Sequence, residues 1–313
     1  MTGNDREGLN QTMKVAIILN RSAGSLVDRP LDGPTAAVRA AFESQGAEVD
    51  LHAIEGAECS KAIERALASD ADRVVVGGGD GTVHTAVKLA LPTGKPLGVL
   101  PLGTLNLLAR DLEIPLELEA AAQALAGGGT RAIDVAEVNG EPYLNSSVMG
   151  FYPAVVQERE RHRKQHRLLK WPGAAMALAK TLYRMPLLDV RLDWGQGPRK
   201  MRTPILVVSN NPYDDGFGLV LRRASLDSGK LGVYVARERN ALAMLRLMGR
   251  LVAGTWKQDE ALDNFTVTSL TVHSRRHRLK MVNDGEVRKL EGPLQYRIRP
   301  GALTVMTPRS DNA

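Results

Sequence analysis

Residues 77–82, which read Gly-Gly-Gly-Asp-Gly-Thr, stand directly between the apolar run 73–76 and a segment with helical periodicity. Successive glycines let backbone N–H groups approach a ligand without obstruction by Cβ, and a helix N-terminus adds partial positive charge that favours phosphate. Asp80 adds a carboxylate that can hold the Mg²⁺ of a nucleotide, directly or through water. A glycine turn capped by Asp80 explains the same six residues without any ligand.

The first part of the chain alternates strand-like and helix-like segments. Short apolar runs lie at 14–19, 47–52, 73–76 and 97–100, and helical periodicity lies at 34–46, 57–69, 82–91 and 104–112. This alternation indicates a parallel sheet covered on both faces, in which ligands gather at the carboxyl ends of the strands. We therefore expect an α/β, doubly wound nucleotide-binding domain over residues 13–128.

The pattern changes after the three glycines 127–129. Alternating polar and apolar residues predict antiparallel strands at 131–138, 187–194, 201–209, 231–236, 264–273 and 292–298. Helical segments interrupt them near 155–184 and 239–253. The sequence thus predicts a second, β-rich domain over residues 129–308, built as an antiparallel β-sandwich.

Two further polar glycine loops follow predicted strands of the first domain. The loop NRSAG occupies residues 20–24, and PLGTLN occupies residues 101–106. Thr104 and Asn106 are suited either to donate hydrogen bonds to phosphate or ribose, or to cap the helix that follows. Because all three loops lie at the same edge of the predicted sheet, we expect them to converge on one nucleotide.

These motifs, in this order and spacing, resemble the catalytic domain shared by diacylglycerol, sphingosine and ceramide kinases and their bacterial relatives. The resemblance is carried by GGGDGTVH at 77–84, PLGTLNLLARDLEIP at 101–115 and NRSAG at 20–24. It continues through LNSSVMGF at 144–151 and NDGE at 283–286, and so covers about residues 14 to 306.

The resemblance implies an ATP-dependent lipid kinase with Mg²⁺, a membrane lipid as substrate, and an active site in a cleft between an ATP-binding and a lipid-binding domain. It implies catalytic roles for Asp80 and for Asp284, the latter as general base. Residues implied to contact ATP are Asn20, Arg21, Ser22, Ala23, Gly24, Gly78, Gly79, Asp80, Gly81, Thr82, Val83, His84, Gly103, Thr104 and Asn106, and Glu286 is implied to position nucleotide or metal.

Two of these assignments have open alternatives. Asn283-Asp284-Gly285, between two strand-like segments, also suits a hairpin turn without any catalytic role. Residues 226–232 resemble a stretch that holds a structural Mg²⁺ in bacterial relatives, but Ser228 and Gly232 replace acidic residues there. Asp227 is left as the candidate metal ligand.

The sequence also predicts a cytoplasmic protein that meets the membrane peripherally. No stretch approaches the roughly 18 apolar residues of a membrane span, the first residues lack the apolar run of a secretory signal, and Cys59 is the only cysteine. Residues 157–171 combine six cations with Trp171, which suits either docking on an anionic membrane surface or a solvated helix.

Two other functions fit parts of the sequence. A soluble-substrate kinase related to NAD kinase shares a GGDG-type loop, and a nucleic-acid-binding protein is an option for the basic residues 159–170. Only 4% of residues are aromatic, so a stacking platform is lacking and we expect no nucleic-acid partner. The identity of the lipid and the oligomeric state are not predicted.

Overall fold

The structure is a computed structural model that describes residues 12–24, 26, 30–154, 156–157, 187–214, 221–237 and 241–309. Tertiary contacts divide the chain into two compact units. The first contains the chain up to Arg131 together with the residues from Leu303 onward, and the second contains Ala132–Ala302.

The first unit is a parallel sheet with helices on both faces. Its strands are β1 (Lys14–Asn20), β2 (Glu48–Ile54), β3 (Arg73–Gly78) and β4 (Leu97–Pro101), in the spatial order β2-β1-β3-β4. Its helices are α1 (Asp32–Glu43), α2 (Cys59–Ala68), α3 (Asp80–Ala90), α4 (Leu107–Asp111) and α5 (Leu118–Ala126). Right-handed crossovers on a sheet of this order put α1 on one face and both α2 and α3 on the other. The predicted α/β class is confirmed, although α5 was not foreseen.

The second unit contains two antiparallel sheets. Its strands are β5 (Gly129–Val138), β6 (Glu141–Tyr143), β7 (Ser146–Gly150), β8 (Leu188–Asp193), β9 (Arg199–Thr203), β10 (Ile205–Asn210), β11 (Leu231–Ala236), β12 (Leu262–Val267), β13 (Ser269–Ser274), β14 (Arg278–Asn283), β15 (Glu286–Glu291) and β16 (Leu294–Thr307), with helix α6 (Ala241–Ala253) and a short 3-10 helix Trp256–Gln258. One sheet has the order β12-β11-β10-β7-β14-β15, and the other contains β16-β13-β8-β9 with β5 and β6 paired at its side.

A single apolar core joins these two sheets. Met149, Leu206 and Val233 of the first pack with Leu192 and Tyr296 of the second, and all five are essentially inaccessible to solvent. The predicted antiparallel sandwich is therefore confirmed.

Two predicted strands are each two strands in the structure. Residues 201–209 divide between β9 and β10 at Pro204, which has no N–H to donate to a ladder. Residues 264–273 divide between β12 and β13 at Thr268, whose carbonyl accepts the N–H of Ile298. Apart from residues 156–157, the predicted helical segment near 155–184 and the predicted docking segment 157–171 lie outside the described residues.

The last strand takes part in both units. Residues 294–297 of β16 pair with β13, whereas Val305 pairs with Leu97 of β4. The chain thus returns to the first unit at its end. A single domain boundary near residue 128 does not predict this return. None of the described helices combines the length and the apolar character that crossing a bilayer requires.

Candidate functional site

The three predicted glycine loops do meet at the carboxyl ends of β1, β3 and β4. The N–H of Leu102, in the loop after β4, donates to the carbonyl of Gly78 at 3.1 Å. The side-chain amide of Asn20, at the end of β1, donates to Oγ1 of Thr82 at 3.0 Å. One set of hydrogen bonds therefore links all three loops.

Glycine is required where the loops after β3 and β4 touch. A Cβ on Gly103 would lie 2.6 Å from Cα of Gly79, and a Cβ on Gly78 would lie 2.5 Å from Cβ of Thr82. Real Cβ atoms do not approach other carbons so closely. The two backbones therefore come together in a way that no side chain permits.

Asp80 joins the same two loops through its side chain. Its Oδ1 accepts the N–H of Leu107 at 2.8 Å and its Oδ2 accepts the N–H of Asn106 at 3.2 Å, so the carboxylate caps the start of α4. Asn106 has φ 49° and closes its own loop, because its side chain accepts from the N–H of Gly103 at 2.8 Å and donates to the carbonyl of Gly103 at 2.9 Å. Both residues shape the second loop, in addition to any contact with a ligand.

The N-terminus of α3 opens between these loops. Gly79 is the N-cap and supplies no side-chain cap, and the N–H of Val83 makes the first intrahelical bond, to Gly79 at 3.0 Å. By helix geometry the N–H groups of Asp80, Gly81 and Thr82 have no intrahelical acceptor. Val83 itself is buried in the core, and His84 is half-buried on the next position. The end of α3 is suited to bind an anion.

The loop after β1 uses its own N–H groups to hold its shape. Arg21 donates to Ile54, and both Ser22 and Ala23 donate to Asn20, at 2.9 to 3.0 Å. Ser22 Oγ accepts the N–H of Gly56 at 3.2 Å, which adds the loop after β2 as a fourth element. Sequence analysis missed Gly56, since nothing around it resembles a ligand loop.

Asp284 occupies the turn of the hairpin β14–β15. Asp284 and Gly285 have φ values of 47° and 87°, which is the two-residue turn with both central residues left-handed, so the predicted hairpin geometry is confirmed and the catalytic role of Asp284 stays a prediction. The carboxylate reaches a distant segment as well. Its Oδ2 accepts the N–H of Leu144 at 2.7 Å, and its Oδ1 accepts those of Asn145 and Ser146 at 2.8 and 3.1 Å.

The segment 144–146 is also held from its other side. Buried Arg223 donates to the carbonyls of Leu144 and Asn210, and the Tyr213 hydroxyl donates to Oδ1 of Asn145 at 2.8 Å. Burial raises the pKa of Tyr213, so this hydroxyl stays protonated and remains a donor. Neither Arg223 nor Tyr213 stands in a motif that points to the site.

Two other predicted residues lie elsewhere in the second unit. Glu286 begins β15, and its half-exposed carboxylate accepts from Arg288 at 2.6 Å. The carboxylate of Asp227 accepts from the Ser225 hydroxyl. Within the described ranges there is no group of three or more His, Cys, Asp or Glu side chains arranged to hold a metal ion.

Asp134 holds the segment that resembles the Mg²⁺-binding stretch of bacterial relatives. This carboxylate is 1% exposed and accepts the N–H of Gly229 at 2.7 Å and of Gly301 at 2.9 Å. Sequence analysis missed Asp134, because its partners are 95 and 167 residues away.

Comparisons of the chain with known proteins match two family models. The model of the diacylglycerol kinase catalytic domain matches residues 14–138, and that of the YegS C-terminal NAD kinase beta sandwich-like domain matches residues 146–307. A protein of Pseudomonas aeruginosa named "Probable lipid kinase YegS-like" is 32% identical over 282 residues, which are 87% of this chain and 89% of that protein. A diacylglycerol kinase of Mycobacterium tuberculosis is 28% identical over 298 residues, which are 90% and 93% of the two chains.

The fold has solved counterparts. A structure described as a diacylglycerol kinase from Bacillus anthracis matches with a TM-score of 0.71 at 19% identity, over 95% of this chain and 97% of that one. Since the second family model spans more than half of the chain and the Pseudomonas relative exceeds 30% identity, the chain belongs to the diacylglycerol kinase catalytic-domain family of lipid kinases.

Proposed function

We propose that this protein transfers the γ-phosphoryl group of ATP to a hydroxyl group of a membrane lipid. The observation that carries the proposal is the contact of Gly79 with Gly103 beside the N-terminus of α3. Phosphoryl transfer depends mainly on positioning and on electrostatic stabilisation of the phosphate oxygens, which backbone N–H groups provide. The names of the relatives from Mycobacterium and Pseudomonas support a lipid as the acceptor.

The nucleotide phosphates are proposed to bind the N–H groups of Asp80, Gly81 and Thr82. A Cβ at Gly78 or Gly103 would overlap Thr82 or Gly79, so only glycine keeps these backbones close to the N-terminus of α3, where a phosphate group is proposed to bind. Residues 20–24 act here mainly by holding Thr82 and the edge of the loops, and Thr104 remains a proposed direct contact.

Asp80 fits a nucleotide-bound Mg²⁺ best through water. Each of its oxygens already accepts a backbone N–H, and direct ligation would compete with the bonds that cap α4. Mg²⁺ keeps several of its waters in most nucleotide sites. Binding through water would therefore leave both hydrogen bonds of Asp80 to the loop in place. When bound, the ion neutralises charge that develops on the phosphate oxygens.

Asp284 is proposed to receive the proton of the lipid hydroxyl. Its Oδ1 accepts two N–H groups of the segment 144–146, and its Oδ2 accepts one, from Leu144. The proton is assigned to Oδ2, which accepts fewer of these three N–H groups. Arg223 and Tyr213 are positioning residues in this scheme, because they fix the segment 144–146 on which the carboxylate rests.

The reaction is proposed to take place at the cytoplasmic membrane surface, where ATP and the lipid are both present. The test is phosphoryl transfer from γ-labelled ATP across a panel of lipids in mixed micelles, with diacylglycerol, ceramide, sphingosine and phosphatidylglycerol each offered alone. We expect label in one or more of the lipids. Label in none of them would overturn the proposal.

A soluble-substrate kinase is the competing function, favoured by the NAD kinase-like description of the second matched domain. The same assay with NAD as acceptor separates the two. Label in NAD together with unlabelled lipids would establish the competitor, and label in lipid alone would exclude it.

A further inference from the structure

One sheet face of the second unit carries two cations, Arg191 and Lys200, directly opposite each other. In the registers of β13, β8 and β9, His273 lies opposite Arg191, and Arg191 lies opposite Lys200. We call these three residues the basic row. Arg191 and Lys200 are exposed and His273 is half-buried, whereas their strand neighbours Val190 and Leu192 are in the core. The basic row therefore faces away from the core.

The residues around the basic row include both cations and carboxylates, and Asp189 and Asp193 lie two residues to either side of Arg191 on the same outward face. Arg202 follows on β9 opposite Asp189, and Arg275 and Arg276 extend β13 as an exposed turn. Asp193 lies opposite Thr271 and accepts the N–H of Gly195. In the described part of the chain, no carboxylate forms an ion pair with Arg191 or Lys200.

Like charges directly opposite in a sheet destabilise it, unless a counter-charge covers them. We propose that this face of the sheet binds the surface of an anionic lipid bilayer. The cations lie in one layer at the spacing of adjacent strands, which suits a surface of many headgroups more than a single small anion. The choice of partner rests on the proposed function, since a lipid kinase must reach a substrate that stays in the membrane.

A nucleic acid is the other polyanion that such a face can attract. Single strands are bound through aromatic platforms, and the aromatic side chain of this region, Trp194, packs inward against Phe265 with the ring centroids 4.8 Å apart. The outward positions of β8, β9 and β13 hold no aromatic residue. The bilayer is therefore the better partner.

The test is sedimentation of the full chain with phosphatidylglycerol vesicles and with phosphatidylcholine vesicles. Each cation near an anionic surface is worth about fivefold in binding, so the double variant Arg191→Gln/Lys200→Gln should bind phosphatidylglycerol vesicles about 25-fold more weakly. Binding to phosphatidylcholine vesicles should not change. The matched control is Lys61→Gln/Arg65→Gln on α2, which removes the same charge from exposed positions of the first unit and should bind like the parent.

A charge reversal separates docking from folding. Arg191→Glu places a carboxylate opposite Lys200 and also between Asp189 and Asp193 on the same face, so Tm should change by less than about 3 °C while vesicle binding falls. Arg191→Lys/Lys200→Arg should keep both properties. Equal vesicle binding by the parent and the Gln double variant would overturn the proposal. So would a Gln double variant that loses binding to an oligonucleotide but still binds vesicles as the parent does.

Phosphorylation of a short-chain, monomeric lipid should be the same in the parent and the Gln double variant. Vesicle binding is measured without ATP, so the docking result holds even if no lipid proves to be a substrate. A negative docking result would not change the outcome of the lipid phosphorylation assay. Each proposal can therefore be overturned without the other.

Discussion

The two units hold their candidate residues by different means. In the first unit, loops that are 24 residues apart in sequence meet through glycine backbones, and Asp80 adds two bonds across the same gap. In the second unit, no glycine contact is involved at Asp284. A carboxylate in a hairpin turn accepts three N–H groups from a segment about 140 residues away.

This difference decides how each residue must be tested. Asp80 lies beside N–H groups that we assign to phosphate, so its loss acts first on the nucleotide. Asp284 stabilises the second unit whether or not it is catalytic, so a loss of activity there must be compared with a loss of stability of similar size from another position.

The largest effect is expected from Asp284→Asn. The amide cannot receive the proton of the hydroxyl, so kcat should fall by about 10²–10⁴-fold. The amide N–H₂ also meets an N–H group of the segment 144–146, which should cost about 1–3 kcal/mol of unfolding free energy. Transfer rates and chemical denaturation of the same preparations measure the two effects.

Asn139→Asp is the control, since it makes the reverse substitution in a similar turn. Asn139 and Gly140 form the same kind of turn between β5 and β6, with φ values of 50° and 82°. The Asn139 side chain accepts the backbone N–H of Gln295 at 2.7 Å and donates to the backbone carbonyl of Glu291 at 2.9 Å. The exchange to Asp should therefore cost about as much unfolding free energy as Asp284→Asn and leave transfer intact. If Asp284→Asn loses no more activity than this control, Asp284 is a turn residue only.

Asp80→Ala should reduce transfer by about 100-fold, because the loop after β4 loses two bonds and small misplacements near the reacting group are costly. Asp70→Ala is the matched control, since Asp70 is a 79% exposed carboxylate in the same unit that forms an ion pair with Lys14. Its removal should be nearly silent. Comparable transfer by both variants would remove Asp80 from the site.

Gly103→Ala should destabilise the first unit by about 1–3 kcal/mol and weaken ATP binding, because the added methyl group overlaps Gly79 and the side-chain oxygen of Asn106. Gly129→Ala adds the same methyl group at an exposed position of β5 in the same unit, where nothing lies within 4 Å, and should leave both properties unchanged. An ATP affinity that is the same in both variants would contradict close loop contact at the nucleotide.

The smallest effect is expected from ionisation of the tyrosines, which should not alter stability at neutral pH. All six tyrosines lie between residues 143 and 296, and burial raises the pKa of Tyr143, Tyr213 and Tyr296. Because the folded pKa is raised, the unfolded state releases protons first above about pH 10, and stability falls as the pH rises further. Amide exchange should then show the second unit opening before the first. Ionisation of all tyrosines near pH 10 without unfolding would contradict their burial.

Local patterns were sufficient to predict most of the first unit. The strands β1 to β4 and the loops at their ends follow from apolar runs that stop at glycine, and parallel order brings the loops to one edge. Helix α5 was missed, because five of its nine residues are alanine and few large side chains mark its buried face.

Long-range contacts explain what was missed in the second unit. Nothing near Asp284 indicates that β14 pairs with β7, and only this pairing brings its carboxylate to Leu144. Arg223 and Asp134 are single residues whose partners are backbone groups, which leave no mark on the sequence. The division of 201–209 at Pro204 was foreseeable from the missing N–H, but alternation on both sides concealed it.

The central claim is that ATP is bound by the loops of the first unit, whereas Asp284 acts on the acceptor hydroxyl. The most direct test is calorimetric titration of Mg-ATP into Asp80→Ala and Asp284→Asn, side by side, with transfer measured on the same samples. The account predicts that both variants lose transfer, that ATP affinity falls in Asp80→Ala, and that it persists in Asp284→Asn. Unchanged affinity in Asp80→Ala, or an equal loss of affinity in both variants, would contradict it.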